Sequence, residues 1–168
     1  SLACTYGGSY KFTHSTFNNN WNSSKQVAVL VSNYISGAIP EVKALTAATF
    51  NNCIIYGSYS NEMNLARKTG AAFEYQFNNC LIKFDNVSNQ FTTNPDYQFN
   101  TDTAHYNAIL LNENPRFFNI SQNKFNIDKT SAAFAKGNSA YLIPLDVLGK
   151  TRTSPPDLGA YQSKAFPK

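Results

Sequence analysis

The sequence predicts an all-β fold built as a parallel solenoid, in which successive coils of the chain stack on one another. Three features support this: a recurring motif, strand-like alternation before each copy, and apolar pairs after two of the copies. The motif is F-N-N-[NC], which begins at Phe17, Phe50 and Phe77. The copies are 33 and 27 residues apart, so the unit varies in length, as expected for coils that share a core but differ in their loops.

The flanks of the motif predict that each copy is a strand, a turn and a second strand. Residues 10–14, 45–49 and 73–77 alternate in the manner of a half-buried strand. Ile54-Ile55 and Leu81-Ile82 follow the later two copies directly, as strands that continue beyond a bend would.

Stacking of coils brings equivalent residues together. We therefore expect Phe17, Phe50 and Phe77 to form an interior aromatic stack. Asn52 and Asn79 are the predicted rungs of an asparagine ladder at the bends, because Asn tolerates the left-handed conformation and its amide can bond to the matching amide of the next coil.

The three cysteines, Cys4, Cys53 and Cys80, are far apart and lack the short spacing that assembles a zinc site. Their positions predict small buried groups. Cys53 and Cys80 would stack just past the bend, which leaves open whether they form a disulfide. No metal and no cofactor is expected.

The composition narrows the function classes. Only 14% of residues are charged, against about a quarter in an average domain, whereas 22 are Asn, so amides and hydroxyls must make the surface polar. Such surfaces are common outside the cytoplasm and in proteins that handle sugars. The net charge of +4 is spread without a Lys/Arg run, which disfavours nucleic acid as a partner.

No segment of the sequence predicts a membrane span. The longest apolar stretch, Val27 to Val31, is far shorter than the ~20 residues that cross a bilayer. The Asn-rich, weakly charged composition predicts a protein of the extracellular space, the periplasm or the cell surface.

Two stretches between the motif copies depart from the strand pattern. Residues 61–68 predict a short helix that stops near Gly70. Residues 86–107 are polar with isolated aromatics and predict an exposed loop, the kind of segment in which a solenoid carries its function.

The predicted ligand-binding residues lie in that loop. They are His105, Tyr106, Tyr97 and Phe99, since an exposed His beside aromatic rings can bind a sugar through hydrogen bonds and stacking. Elsewhere, Trp21, Tyr56 and Tyr59 offer further aromatic platforms.

Four motifs near the end of the chain carry a family resemblance. They are Asn114-Pro115-Arg116-Phe117, Ser131-Ala132-Ala133-Phe134-Ala135-Lys136-Gly137, Asp146-Val147-Leu148-Gly149-Lys150-Thr151-Arg152 and Pro156-Asp157-Leu158-Gly159-Ala160-Tyr161-Gln162. This order resembles the C-terminal region of exported bacterial right-handed parallel β-helix proteins of the pectate-lyase-like superfamily, whose final coils run D-P-x-F, S-P-A-x-D-x-G, D-x-x-G-x-x-R and P-D-x-G-A-[YF]-[EQ]. The last two motifs match in full. Asn114 replaces the usual Asp, and Ala132 and Ala135 replace the usual Pro and Asp.

The resemblance implies a right-handed, single-stranded parallel β-helix with irregular coils and long loops. Residues 1–168 would form one β-helix domain, the C-terminal part of a longer chain, and residues 144–162 its terminal coil and cap. In that cap, Gly159 permits a tight turn, Arg152 and Asp157 would pair, and Tyr161 would cover the last open coil. The alternative is that Asp146, Arg152 and Asp157 form a catalytic cluster.

Three functions follow as expectations. The first is a non-catalytic secreted or cell-surface module that contacts carbohydrate, with a polysaccharide as partner. The second is the C-terminal part of a polysaccharide lyase or glycoside hydrolase, although the acids are scattered and predict no paired carboxylates. The third is a structural or assembly module whose first coil stacks on upstream sequence or on another protomer. Whether the chain is an enzyme stays open, and the residues themselves favour a non-catalytic role.

Overall fold

The computed structural model describes residues 1–21, 26–38 and 40–167. These residues are rich in β-strand, and their helices are single turns of 3-10 helix. The strands are β1 (Leu2–Cys4), β2 (Gly8–Thr13), β3 (Thr16–Asn19), β4 (Val29–Ser32), β5 (Tyr34–Ile35), β6 (Glu41–Val42), β7 (Leu45–Asn51), β8 (Ile54–Gly57), β9 (Met63–Ala66), β10 (Gln76–Asn78), β11 (Leu81–Ile82), β12 (Tyr106–Asn107) and β13 (Leu110–Leu111). The 3-10 helices are Val87–Asn89, Pro95–Tyr97, Ile120–Gln122 and Ser139–Tyr141. No helix in the described ranges has both the length and the apolar character needed to cross a membrane.

Most strands belong to three parallel sheets, which the chain visits in the same order several times. The first sheet has the order β1-β4-β9, the second β2-β7-β10-β12 and the third β3-β8-β11-β13. The strands β5 and β6 form a separate antiparallel pair. We group the strands into four layers: layer 1 (β1, β2, β3), layer 2 (β4, β7, β8), layer 3 (β9, β10, β11) and layer 4 (β12, β13). The prediction of a β-rich fold with parallel sheets is confirmed.

The bend between the second and third sheets repeats in all four layers. The equivalent residues are His14, Asn52, Asn79 and Ala108, whose φ angles are 49°, 54°, 51° and 52°. At each bend that has a following layer, the bend N–H donates to a carbonyl of that layer. The distances are 2.9 Å from His14 to Asn51, 2.9 Å from Asn52 to Asn78 and 2.8 Å from Asn79 to Asn107. One left-handed residue per layer therefore turns the chain without interrupting the ladder.

An aromatic stack fills the interior beside these bends, but its members differ from the predicted ones. It consists of Phe12, Phe50, Phe77 and Tyr106, with successive ring centroids 5.0, 4.7 and 5.7 Å apart. Phe50 and Phe77 are completely buried. Stacks of this kind stabilise the core beyond the area that they bury.

The predicted place of Phe17 in this stack is wrong. Phe17 lies on β3 opposite Ile55, and its ring meets Phe50 edge-on at 6.0 Å. The first F-N-N copy follows the bend, whereas the other two copies precede it. The true counterpart of the later copies is the sequence F-T-H-S at residues 12–15, which shares only its first residue with them.

An asparagine ladder is present, but it joins Asn51 and Asn78, each one residue before the predicted Asn52 and Asn79. Its rung is a 2.9 Å bond from Asn78 Nδ2 to Asn51 Oδ1. Asn52 and Asn79 occupy the left-handed bend as expected, but their amides bond to the C-terminal part of the chain. Asn52 donates to the Asn138 carbonyl at 3.0 Å, and Asn79 donates to the Lys136 carbonyl at 3.3 Å. Asn52 Nδ2 also lies 3.1 Å from His14 Nε2 in layer 1, but no hydrogen bond joins the side chains of Asn52 and Asn79 within the described residues.

The cysteines are buried and free, which confirms the prediction of small buried groups. Cys53 and Cys80 contact main-chain oxygens, with Sγ to oxygen distances of 3.3 Å to Asn51 and 3.4 Å to Phe50. Burial raises the pKa of the Cys80 thiol well above its ordinary value.

The predicted helix at residues 61–68 is wrong, because residues Met63–Ala66 form β9 beside β4. Met63 and Leu65 are buried and alternate with Asn64, so tertiary packing overrides the local helical preference. The adjacent Glu62 is fully buried. Its carboxylate accepts bonds from Ala28 N at 2.9 Å, Tyr59 N at 2.8 Å and Asn19 Nδ2 at 3.1 Å.

The C-terminal residues 112–167 form turns that pack outside the third sheet. A second apolar cluster joins Ile127, Ala133 and Leu158 to Ile54 and Leu81 of that sheet. These sheet residues point outward, opposite to Ile55 and Ile82 in the main core.

The placement of residues 144–162 differs from the predicted cap over the last layer. Gly159 N donates to Asn52 O at 2.8 Å, and Ala160 N donates to Thr16 Oγ1 at 3.0 Å. Both partners lie in layers 1 and 2, so this segment covers the flank of the bend. Tyr161, predicted to lie over the last layer, directly follows Ala160 in the chain and is half-buried.

Candidate functional site

The four predicted ligand-binding residues lie close together, but three of them, Tyr97, Phe99 and Tyr106, form a plug of the interior. Tyr97 and Tyr106 are only 9% and 3% exposed. Phe99 is half-buried and packs on Tyr106, with 4.6 Å between ring centroids. The Tyr97 hydroxyl accepts a bond from Leu65 N at 2.9 Å, and the Tyr106 hydroxyl donates to the Asp96 carbonyl at 2.5 Å. Buried rings with occupied hydroxyls present no face to a sugar.

His105 is the most accessible of the four. Its Nδ1 lies 2.6 Å from Asp102 Oδ2, and its ring stacks on Tyr75 with centroids 4.3 Å apart. The carboxylate also receives the His105 backbone N–H at 3.3 Å. Asp102 therefore orients the imidazole so that Nε2 is the nitrogen free to meet a ligand.

A cavity of about 490 Å³ lies at the bend of layer 1. Its walls are residues 13–17, which run from the end of β2 through the bend into β3, and a C-terminal hairpin that includes Leu145 and Val147. Three polar residues that are almost fully buried also line it, namely His14, Asp146 and Arg152.

His14 is held in its neutral form. Its Nε2 lies 3.1 Å from Asn52 Nδ2. The Asn52 amide is oriented by Asn138, whose N–H donates to Asn52 Oδ1 at 2.8 Å, so Nε2 is the acceptor and Nδ1 carries the proton. Burial, and then the charge of Arg152, lowers the pKa of His14 to about 4.

Arg152 and Asp157 do not form the ion pair that we expected. The Arg152 guanidinium donates instead to the carbonyls of Gly159 and Ala160, at 3.1 and 2.9 Å. The Asp157 carboxylate accepts from Ala135 N and Ser163 N, both at 2.7 Å. Each charge therefore fixes main-chain groups of the C-terminal turns.

Asp146 plays the same part in the hairpin. Its carboxylate accepts backbone N–H bonds from Leu148 and Lys150 at 2.8 Å and from Gln162 at 2.9 Å. Burial opposes ionisation, yet these three bonds lower the pKa of Asp146 below its ordinary value. With their oxygens engaged in this way, Asp146 and Asp157 brace the chain, which favours the structural interpretation of the motif over a catalytic cluster.

The arrangement best suited to a ligand is a cleft of about 370 Å³ on the outer side of the third sheet. We call it the Tyr56 cleft. The rings of Tyr56 and Phe117 meet there at 88°, with centroids 6.4 Å apart. It is lined by Asn18, Asn20, Tyr56, Gly57, Ser58, Asn114, Pro115, Arg116, Phe117 and Ile120.

Strand register and a tight turn position these side chains. Asn18 and Tyr56 are partners on β3 and β8, so both project from the same face. Asn20 Nδ2 donates to the Ile120 carbonyl at 3.2 Å and ties the C-terminal turns to the sheet. Arg116, with φ of 47°, turns the chain next to Phe117, and its N–H donates to Asn114 Oδ1 at 2.8 Å.

The cleft combines polar side chains with apolar surface. Within the described residues, Asn18 Nδ2 has no hydrogen-bond partner. Arg116 is exposed and is the charged residue of the lining. The sequence predicts Tyr56 as an aromatic platform. It gives no sign of Asn18 and Phe117, because these residues reach the cleft only through the strand register and a turn far along the chain.

No protein-family model matches the chain, and no curated protein or solved structure matches it either. The described ranges also contain no group of three or more His, Cys, Asp or Glu side chains that could hold a metal ion. The side chains of the Tyr56 cleft are therefore the basis for a function.

Proposed function

We propose that the chain is a module of a right-handed parallel β-helix that binds carbohydrate in the Tyr56 cleft. The helix is supported by the repeated order of the three sheets, by parallel pairing throughout them and by the recurring left-handed bend. Right-handed connection is the strong preference for parallel strands of one sheet.

The observation that carries the binding proposal is the perpendicular pair of rings beside three carboxamides. A pyranose has an apolar C–H face and a rim of hydroxyls. The apolar face packs on an aromatic ring, and the hydroxyls bond to amides, which both donate and accept. Asn18 Nδ2 supplies a buried donor that has no hydrogen-bond partner within the described residues.

The partner of such a module is a polysaccharide outside the cytoplasm. The Asn-rich, weakly charged composition fits an exported or cell-surface protein. The nucleic acid alternative receives no support from the cleft, because among its described lining residues Arg116 is the one cation.

Glycan-array binding with the purified chain tests the proposal. We expect wild type to bind a subset of glycans, and Tyr56→Ala to lower affinity about tenfold or more, equivalent to roughly 1.4 kcal/mol of lost stacking. Asn18→Ala should weaken binding as well, because it removes the carboxamide next to Tyr56.

The matched control is His105→Ala, which alters the originally predicted loop and leaves the Tyr56 cleft intact. Circular dichroism and thermal melting must show that each variant is folded. The proposal fails if wild type binds no glycan, or if His105→Ala abolishes binding while Tyr56→Ala leaves it unchanged.

A further inference from the structure

Glu62 is a completely buried carboxylate at the end of the loop that joins β8 to β9. Burial of an ionised group is costly unless several hydrogen bonds compensate for it. Here burial raises the pKa of Glu62, and bonds from Tyr59, Asn19 and Ala28 lower it in part. All three partners donate, so both oxygens act as acceptors, as those of an ionised carboxylate do. Glu62 therefore orders the chain segments that donate to it.

One carboxylate oxygen holds the β8 side of the Tyr56 cleft. Tyr59 N donates to Glu62 Oε1 at 2.8 Å. Tyr59 directly follows Gly57 and Ser58, which both line the cleft. Gly57 also packs closely on the carboxylate, since a Cβ at that position would overlap Glu62 Oε1. The carboxylate therefore lies directly behind this part of the cleft and fixes the chain just past β8.

The other carboxylate oxygen holds the β3 side of the cleft. Asn19 Nδ2 donates to Glu62 Oε2 at 3.1 Å, and Asn19 is only 3% exposed. Asn19 lies between Asn18 and Asn20, whose side chains line the cleft. Because successive side chains of a strand point to opposite faces, the anchored Asn19 sets the direction in which its neighbours project.

The two sides of the cleft are also tied to each other around Glu62. Asn19 and Gly57 are partners on β3 and β8, and Ser58 N donates to Asn19 O at 2.9 Å. Trp21 N donates to Asn19 Oδ1 at 3.3 Å, and Ser58 Oγ donates to Trp21 O at 3.4 Å. Trp21 is the one tryptophan in the sequence, so its signal reports on this junction.

We propose that Glu62 is a positioning residue of the Tyr56 cleft, whose buried carboxylate sets the geometry of the two strand ends that carry the sugar-binding side chains. It does not touch the ligand, because it is buried behind the cleft. The inference rests on the proposed carbohydrate function and adds the residue on which the geometry of that site depends. Loss of the carboxylate should shift Asn18 and Asn20 relative to Tyr56 and lower affinity, although every lining side chain is still present.

Glu62→Gln is the test variant, because it keeps the size of the side chain and replaces one acceptor oxygen by an amide donor. Whichever way the amide turns, it meets a donor, either Tyr59 N or the pair of Ala28 N and Asn19 Nδ2. The probe is the glycan that binds wild type most tightly on the array. In isothermal titration calorimetry we expect its affinity to fall about tenfold, the size expected for one lost partner of a buried hydrogen bond.

Met63→Ala is the matched control for stability. Met63 is the next residue, is 2% exposed and belongs to the main core, so its loss destabilises the fold without altering the cleft. A role of Glu62 in stability alone would lower the melting temperature of both variants and the affinity of neither. Unchanged glycan affinity in Glu62→Gln overturns the proposal, and so does an equal loss of affinity in Met63→Ala.

Asn19→Ala keeps the test decisive if Glu62→Gln does not fold. It removes the carboxamide that joins Glu62 to β3 and leaves the bonds from Tyr59 and Ala28 in place. Affinity should again fall relative to Met63→Ala. Wild-type affinity in a folded Asn19→Ala variant overturns the proposal.

The NMR signal of the Trp21 indole N–H separates this inference from the carbohydrate proposal, because it needs no ligand. The signal should shift in Glu62→Gln and stay in place in Met63→Ala. If wild type binds no glycan and the indole signal shifts in this way, the carbohydrate proposal fails and the positioning of the cleft walls by Glu62 stands. An unchanged indole signal in Glu62→Gln overturns the positioning role, whatever the glycan result.

Discussion

Residues 1–111 and 112–167 reach a fixed structure by different means. In the first region, parallel strands satisfy the main chain through their ladders, and stacked apolar side chains fill the interior. The described residues of the second region form isolated bridges and no strand, and buried polar side chains bond to the main chain instead. Asp146 and Asp157 together receive five backbone N–H groups.

The comparison explains how irregular chain can be packed against a sheet. Buried N–H and C=O groups must be paired, and turns leave many of them without a ladder partner. An ionised carboxylate accepts several such bonds at once. Loss of one polar side chain should therefore loosen the second region locally, whereas loss of one aromatic ring should weaken the first region as a whole.

The largest effect should come from Phe50, which is buried between Phe12 and Phe77. We expect Phe50→Ala to lower the free energy of unfolding by about 4 kcal/mol, since it leaves a cavity in the stack. Urea denaturation followed by circular dichroism measures this. Phe12→Ala is the matched control and should cost less, because Phe12 is half-buried at the open end. Equal losses of the free energy of unfolding in Phe50→Ala and Phe12→Ala would contradict the idea that burial within the stack determines the cost.

Asp157 should show the next largest effect. Asp157→Ala removes the acceptor for Ala135 N and Ser163 N and leaves both N–H groups without it. We expect a loss of about 3 kcal/mol. Native-state hydrogen exchange should show faster exchange in residues 112–167 and little change in β7 and β10. Uniform acceleration over both regions would show that they unfold as one unit.

His14 links the two regions and should make their contact sensitive to pH. Its pKa is lowered to about 4 in the folded state from an ordinary value of 6.5. Both states are neutral above that ordinary value, so the stability is complete there. As the pH falls below it, the unfolded state binds the proton first, and roughly 2 to 3 kcal/mol is lost by about pH 4.

The variant His14→Asn isolates this effect. Asn occupies the equivalent bend positions 52 and 79, so it suits the left-handed backbone and does not titrate. Denaturation at pH 7 and pH 4.5 should show a smaller difference in the variant than in wild type. The same pH dependence in both proteins would place its origin elsewhere.

The two regions also differ in how far the sequence predicts them. Alternation around Phe50 and Phe77, with Asn52 and Asn79 at the bends, predicts the parallel sheets because these features repeat. The prediction for Phe17 was wrong because the F-N-N motif at residues 17–19 follows the bend, whereas the later copies precede it. The hydrogen-bonding role of Asp157 could not be predicted, since its partners are backbone groups 22 and 6 residues away that no side-chain pattern marks.

The same limit applies to the candidate site. Tyr97 and Tyr106 look like loop residues in the sequence, yet they are buried because layer 4 has no strand in the first sheet and aromatic rings fill that place. The Tyr56 cleft depends on the meeting of Tyr56 with Phe117, which are far apart in sequence. The sequence predicts the Tyr56 side of the cleft, but it does not predict that Phe117 lies opposite.

The smallest expected effect concerns the last bend of the ladder. Ala108 has φ of 52° at the position that Asn occupies in layers 2 and 3. A Cβ in this conformation costs about 1 to 2 kcal/mol, and Gly avoids that cost but has a more flexible unfolded chain. Ala108→Gly should therefore raise the free energy of unfolding by about 0.5 to 1 kcal/mol in urea denaturation.

Asn79→Ala is the inverse control and should lower the free energy of unfolding, because it places the same strain at an inner layer. Destabilisation by Ala108→Gly would mean that the bend of layer 4 is not held in the left-handed conformation.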